Sequence, residues 1–139
     1  GVNIPDYHDG QSIIPLLSLN DVNWKKEVFI QISESQVARV IRTKRWKLCI
    51  EDPDRDPWND SYSLNFKEAN FYDLDSDPYE LNNLIGINEF ESIIQELKNR
   101  LINLIKFNEN IDIKISKSKK IDNPGQLGLT PGAFLDGYD

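Results

Sequence analysis

The stretch FYDLDSDPYELNNL, residues 71–84, decides how the rest of the chain is read. It opens as a strand, with Phe71, Tyr72 and Leu74. It then stops on Asp75-Ser76-Asp77-Pro78 and restarts as the approach to a helix. Asp75 and Asp77 have the chemistry to chelate a metal, yet the same residues make ordinary turns. Aspartate side chains accept hydrogen bonds from nearby backbone amides, and Pro78 fixes its own φ. The segment therefore reads as a chain reversal between a strand and a helix.

Downstream, residues 88–107 read as that helix. Phe90, Ile93, Ile94, Leu97, Leu101, Leu104 and Ile105 recur at 3.6-residue spacing and form one apolar stripe. Asn88 with Glu91 three residues on has the form of a capping box. The stripe is too short for a coiled coil and suits packing on a sheet. Upstream, residues 27–33 and 36–42 alternate with period two. In residues 46–51, Trp46, Leu48 and Ile50 face one way and Lys47 and Cys49 the other. Thr43-Lys44-Arg45 suits the hairpin turn between the second and third of these strands. Residues 52–67, broken by Pro53 and Pro57 and carrying Trp58, read as a loop. Residues 68–74 complete four short strands with tight connections, which predicts an antiparallel sheet.

The expected fold is α+β: a four-stranded antiparallel sheet packed by a C-terminal amphipathic helix. Residues 1–26 form a connector interrupted by Gly1, Pro5, Gly10 and Pro15. Residues 27–109 form the α+β unit. Residues 110–139 form an extended tail, basic at Lys114, Lys117, Lys119 and Lys120 and then broken by glycine and proline. Leu127, Leu129, Phe134 and Leu135 suggest that the tail docks on this chain or on a partner.

Bulk properties narrow the function. The 139 residues fit one domain. The net charge of -7 and pI of about 4.7 argue against nucleic acid, because an acidic chain repels phosphate backbones. No apolar run approaches the roughly 20 residues of a membrane span. One cysteine, Cys49, excludes an internal disulfide, reads as a small buried strand residue, and fits reducing and export compartments alike. One histidine, His8, excludes any site needing two. With no methionine and Gly1 first, the chain is expected to be a processed product or a piece of a longer one.

Chemical motifs are sparse. Asp52, Asp54 and Asp56 have the spacing of a calcium loop, but Pro57 stands where that loop needs glycine and Ser63 where it needs glutamate. Arg39, Arg42, Lys44, Arg45 and Lys47 are the one basic concentration before the tail. Arginine forks there suit sulfate, phosphate or carboxylate, while the plainer reading is salt bridges on a hairpin face.

With these residues in view, the chain resembles the C-terminal segment of the sulfatases of the arylsulfatase type. That family has a strand ending L-Y-D-L and then x-x-D-P-x-E-x-x-N-L. Here these stand as Phe71-Tyr72-Asp73-Leu74, Asp77-Pro78, Glu80 and Asn83-Leu84. Asp9-Gly10-Gln11-Ser12 with Pro15-Leu16-Leu17 is similar to D-G-x-S-x-x-P-L-L. Arg39 through Arg42-Thr43, then Arg45-Trp46-Lys47, is similar to R-x-x-R-T-x-x-W-K. The three blocks fall in order over about residues 1–107. Phe71 departs from the family's leucine.

The resemblance implies a parent enzyme that hydrolyses sulfate esters of a small molecule or glycan, using formylglycine and calcium. Both groups would belong to a separate N-terminal catalytic domain, this chain's expected partner. The formylglycine motif C/S-x-P-x-R has one near match, Ser76 to Glu80, with glutamate in the arginine position. No catalytic residue and no metal ligand is therefore expected in this chain. His8, Arg39, Arg42, Arg45 and Trp58 are the expected wall of the substrate cleft. Two alternatives stay open: a stand-alone binding or homo-oligomerising module, and a fragment of a related phosphoester or phosphonate hydrolase.

Overall fold

In the computed structural model, residues 5, 10–18 and 24–119 are described. A short helix α1, Ile14–Leu17, leads to five strands: β1 Glu27–Ile32, β2 Ala38–Thr43, β3 Trp46–Glu51, β4 Asn65–Asp73 and β5 Lys114–Ser116. A helix α2, Glu91–Glu109, lies between β4 and β5, preceded by a 3-10 turn at Asn88–Phe90. The strands form one sheet in the order β1-β2-β3-β4-β5. The first three pairings are antiparallel, and β5 runs parallel to β4.

The expected α+β class holds, with a strand more than anticipated. β5 arises in the segment read as tail, and three residues of Lys-Ile-Ser offer no periodicity to detect. Its position follows from topology: a parallel neighbour of β4 needs a crossover, and α2 supplies it. β4 also starts earlier than expected, at Asn65, inside the segment read as loop. Its register against β3 shifts between Cys49 and Ile50, where Asn70 and Glu68 are the partners. Ala69 is thus an extra residue that breaks the period-two pattern.

The alternation of β1 to β4 puts Ile41, Leu48, Ile50, Phe66 and Phe71 on one face. The stripe of α2 packs there through Ile94, Leu97, Leu101 and Ile105, all buried. Trp46, Phe71 and Phe90 close one end, with Trp46 and Phe71 stacked at 5.2 Å between centroids. Each fully buried aliphatic side chain in this layer contributes about 1.5–3 kcal/mol relative to exposure. The other face carries small buried residues, Ala38, Val40, Cys49 and Ala69.

Helix α2 begins differently from the expected capping box. Asn88 opens the 3-10 turn, and the helix N-cap is Phe90, with no side-chain cap bond. The helix ends on Asn110, whose φ of 54° is left-handed and whose N–H donates to the Lys106 carbonyl. Asparagine tolerates that conformation better than most residues with a Cβ.

Candidate functional site

The acidic turn of residues 73–83 is saturated by the protein's own donors. Asp77 accepts from the amides of Leu81 and Asn82 at 3.0 and 2.8 Å. Asp73 receives both Nε and an Nη of Arg45, at 3.0 and 2.8 Å. Asn83 then ties the returning chain to β4. Its Oδ1 accepts from the amides of Phe71 and Ile85, and its Nδ2 donates to the Ala69 carbonyl. Glu80 takes a left-handed φ of 59° and reaches Lys47 at 2.5 Å. The turn thus joins the β2–β3 hairpin to the end of β4 by three ion pairs, Arg45 with Asp73 and Asp75 and Lys47 with Glu80.

The calcium-like loop shows the same self-satisfaction. Asp52 accepts from Ser63 Oγ at 2.5 Å and from the Asp54 amide at 3.1 Å. Asp54 pairs with Lys67, and Asp56 accepts from the Trp58 amide and the Asn59 side chain. Three carboxylates turned to three separate sets of donors do not form a cation cage. Among the described residues, no group of three or more His, Cys, Asp or Glu is arranged to hold a metal ion.

The expected cleft residues fall at opposite ends of the sheet. His8 lies outside the described residues. Arg39 sits at the Asp52 end of β3, fully buried at 0% exposure. Its guanidinium holds Glu109 through two contacts, at 2.5 and 2.7 Å. It also donates to the carbonyls of Ala38, Ile32 and Ser61. Arg39 therefore fastens the last turn of α2 to the β3–β4 loop. Trp58 projects from that loop at 81% exposure. Arg42 and Arg45 sit at the other end, near the β2–β3 turn. Arg39 and Arg42 lie three residues apart on β2, about 10 Å along the strand, and alternation turns them to opposite faces of the sheet. Arg39 and Trp58 thus share one end, and Arg42 and Arg45 the other.

At the Arg42 end lies an open groove of about 950 Å³. The start of β1, the β2–β3 turn and the exposed flank of α2 form its walls, with Val28, Trp46 and Ile93 as apolar lining. Arg45 stacks over the Trp46 ring at 4.4 Å while bonded to Asp73. That hydrogen bond raises the Arg45 pKa and holds the Asp73 carboxyl below the ordinary carboxylate range. Arg100 neutralises the two carboxylates of the groove, pairing with Glu27 and with Glu96.

Other titrating groups are tuned by burial. The Cys49 thiol is pushed up to about 12, chiefly by desolvation and then by Glu51, which suits a packing residue and not a nucleophile. Tyr72 is raised by burial and then by the Glu80 charge.

Sequence reading missed a buried pair, Lys98 with Glu68 at 2.7 Å. Glu68 also accepts from the Ser118 amide, and its carbonyl accepts from Ser118 Oγ. The signal was present: Lys98 follows Ile94 by four residues inside the apolar stripe, and Glu68 shares the face of Phe66.

A small mixed sheet, a crossover helix and a self-bonded acidic turn define an accessory α+β unit. Residues 1–107 match the family described as N-sulphoglucosamine sulphohydrolase, C-terminal, and the chain belongs to that family. Among solved structures it is similar to BT4656, determined in complex with its substrate D-glucosamine-2-N,6-O-disulfate. The TM-score is 0.63 and the identity 26%, covering 80% of this chain and 22% of that one. It shares its fold with a Bacteroides thetaiotaomicron protein described as a candidate sulfatase. There the TM-score is 0.60 and the identity 16%, covering 97% of this chain and 29% of that one. The chain thus spans under a third of the length of these structures. No curated protein matches it.

Proposed function

We propose that this chain is the C-terminal subdomain of an enzyme that hydrolyses sulfate esters or N-sulfo groups on a glucosamine-type saccharide. The observation that carries the reading is the family match over residues 1–107, which takes in strands β1 to β4 and nearly all of α2. The likeness to BT4656, a protein solved with a doubly sulfated glucosamine, supports the substrate class. The subdomain's own part is structural. It completes the enzyme and presents the Arg42–Arg45 end of its sheet as a wall of the substrate cleft. Arg39 acts through position, holding the loop that carries Trp58. His8 stays in the proposal on its sequence context alone.

Formylglycine and calcium belong to the remainder of the enzyme in this reading. The near match to the nucleophile motif ends in Glu80, which is bonded to Lys47. The carboxylates of the 52–56 loop already serve protein donors and do not fit a calcium ion.

The test is sulfate release by the full-length gene product from N-sulfoglucosamine and from D-glucosamine-2-N,6-O-disulfate. Liberated sulfate, with p-nitrophenyl phosphate left intact, is the expected result. Phosphate release without sulfate release would move the enzyme to the phosphoester hydrolases.

A further inference from the structure

Strand β1 is an outer edge of the sheet, and among the described residues no strand pairs with its free side. Such an edge offers a row of backbone donors and acceptors to any strand that approaches. Proteins ordinarily guard it with proline, a bulge or charge. Residues 28–32 hold no proline and no charged side chain. The register against β2 runs without a break from Glu27 opposite Thr43 to Ile32 opposite Ala38. Glu27, the one charge in the strand, is turned to Arg100 of α2.

Alternation sorts the strand into two rows. Phe29 packs on the core beneath α2. Val28, Ile30 and Ile32 lie on the opposite face, in register with Arg42, Val40 and Ala38. Val28 is 54% exposed and Ile30 36%. Continued by one alternation at each end, the same row begins at Lys26 and ends at Glu34, in the bends that flank the strand. Both are exposed, and neither has a hydrogen bond or ion pair among the described residues.

This row is complementary to itself when reversed. An antiparallel copy centred on Ile30 sets Ile30 against Ile30, Val28 against Ile32 and Lys26 against Glu34. Sliding the copy by one alternation would put Lys26 against Ile32, or Glu34 against Val28, a charge on an apolar side chain. A parallel copy would set Lys26 beside Lys26 and Glu34 beside Glu34, and like charges across a strand pair repel. One register satisfies the charges and the apolar side chains together.

We infer that β1 is a dimerisation edge, where a second copy of this chain pairs antiparallel about a two-fold axis at Ile30 and joins the two sheets into one. Main-chain hydrogen bonds supply the attachment, and the side-chain pairs fix the register. On the face away from α2, Val40 and Ile30 of one copy continue into Ile30 and Val40 of the other as an unbroken apolar band. The two-fold closes the contact, so assembly stops at two. Nothing in this contact depends on what the enzyme hydrolyses.

The test is sedimentation velocity of the full-length gene product over a range of concentrations. The wild type should pass from monomer to dimer as concentration rises. I30K places like charges against each other at the axis and should leave a monomer throughout. K26E and E34K each turn both symmetry-related pairs repulsive and should weaken the dimer about tenfold. K26E/E34K restores opposite charges and should return the wild-type equilibrium. L81K, at a residue 61% exposed on the acidic turn, alters an apolar side chain elsewhere and should change nothing. Far-UV circular dichroism checks that each variant keeps the fold.

A wild type that stays monomeric at every concentration would overturn the dimer, as would a dimer that survives in I30K. Weakening in the single variants without rescue in the double variant would overturn the register. Growth beyond two copies would make the edge an open aggregation site and not a closed interface. Slow deuterium exchange of the β1 amides in a monomer would assign the edge to another segment of the same protein.

Discussion

Asn83 supports three backbone groups at once, the amides of Phe71 and Ile85 and the carbonyl of Ala69. Removing the amide in N83A leaves them without that partner beside the buried Phe71 and Ile85, a loss of about 2–3 kcal/mol. Urea denaturation should show a lower midpoint with an unchanged slope. Asp73 gives a pH signature instead. Its folded pKa is depressed by Arg45, so the stability it adds is present above the ordinary carboxylate range and is lost as pH falls through the lower folded value. D73N should unfold more easily at pH 7, and its disadvantage should shrink towards pH 2. A constant difference across that range would remove the Arg45–Asp73 pair from the account. At this scale the turn was legible, because Asp-x-Asp-Pro carries its own hydrogen-bond logic. Arg39 was less so. Alternation placed it between Val37 and Ile41, on the side that proves buried, but the distant partner Glu109 has no local signal.

Helix α2 is bound to the sheet by an apolar stripe and by buried charge. Lys98 and Glu68 are 9% and 3% exposed at their side chains, and Glu68 also receives the Ser118 amide. Breaking such a pair from one side leaves a buried charge alone, at a cost of about 3–5 kcal/mol. K98M should therefore destabilise the fold strongly in urea. K98M/E68L, which removes both charges, should recover most of the loss. A double variant no better than the single one would mean that Glu68 works mainly through Ser118. Period and stripe made the antiparallel strands and α2 readable from the sequence. The bulge at Ala69 hid the true start of β4, and three residues of β5 carry no pattern of their own. Asn88 had capping chemistry, but the chain enters α2 through a 3-10 turn that moves the cap to Phe90.

For the molecule as a whole, the sulfatase assignment rested on three short motif blocks, and the family match covers the same residues 1–107. Two of those blocks have physical roles. Arg39 and Arg45 each make multiple bonds that tie separate elements together, and Asn83 closes the turn. The functional surface was only partly legible. Five candidate residues close in type were grouped by chemistry, and tertiary placement divides the described four between two ends of the sheet. Lys26, which completes the groove, sat in a segment with no period. No helix among the described residues is long and apolar enough to cross a membrane.

The central claim, that this chain is one part of a sulfatase, is tested most directly by the intact mass and peptide sequence of the full-length gene product. The account predicts a larger protein with C/S-x-P-x-R upstream of these residues and its Cys or Ser at the mass of formylglycine. A product that begins close to Gly1, or one whose upstream region lacks that motif, would contradict it and leave a stand-alone binding module in its place.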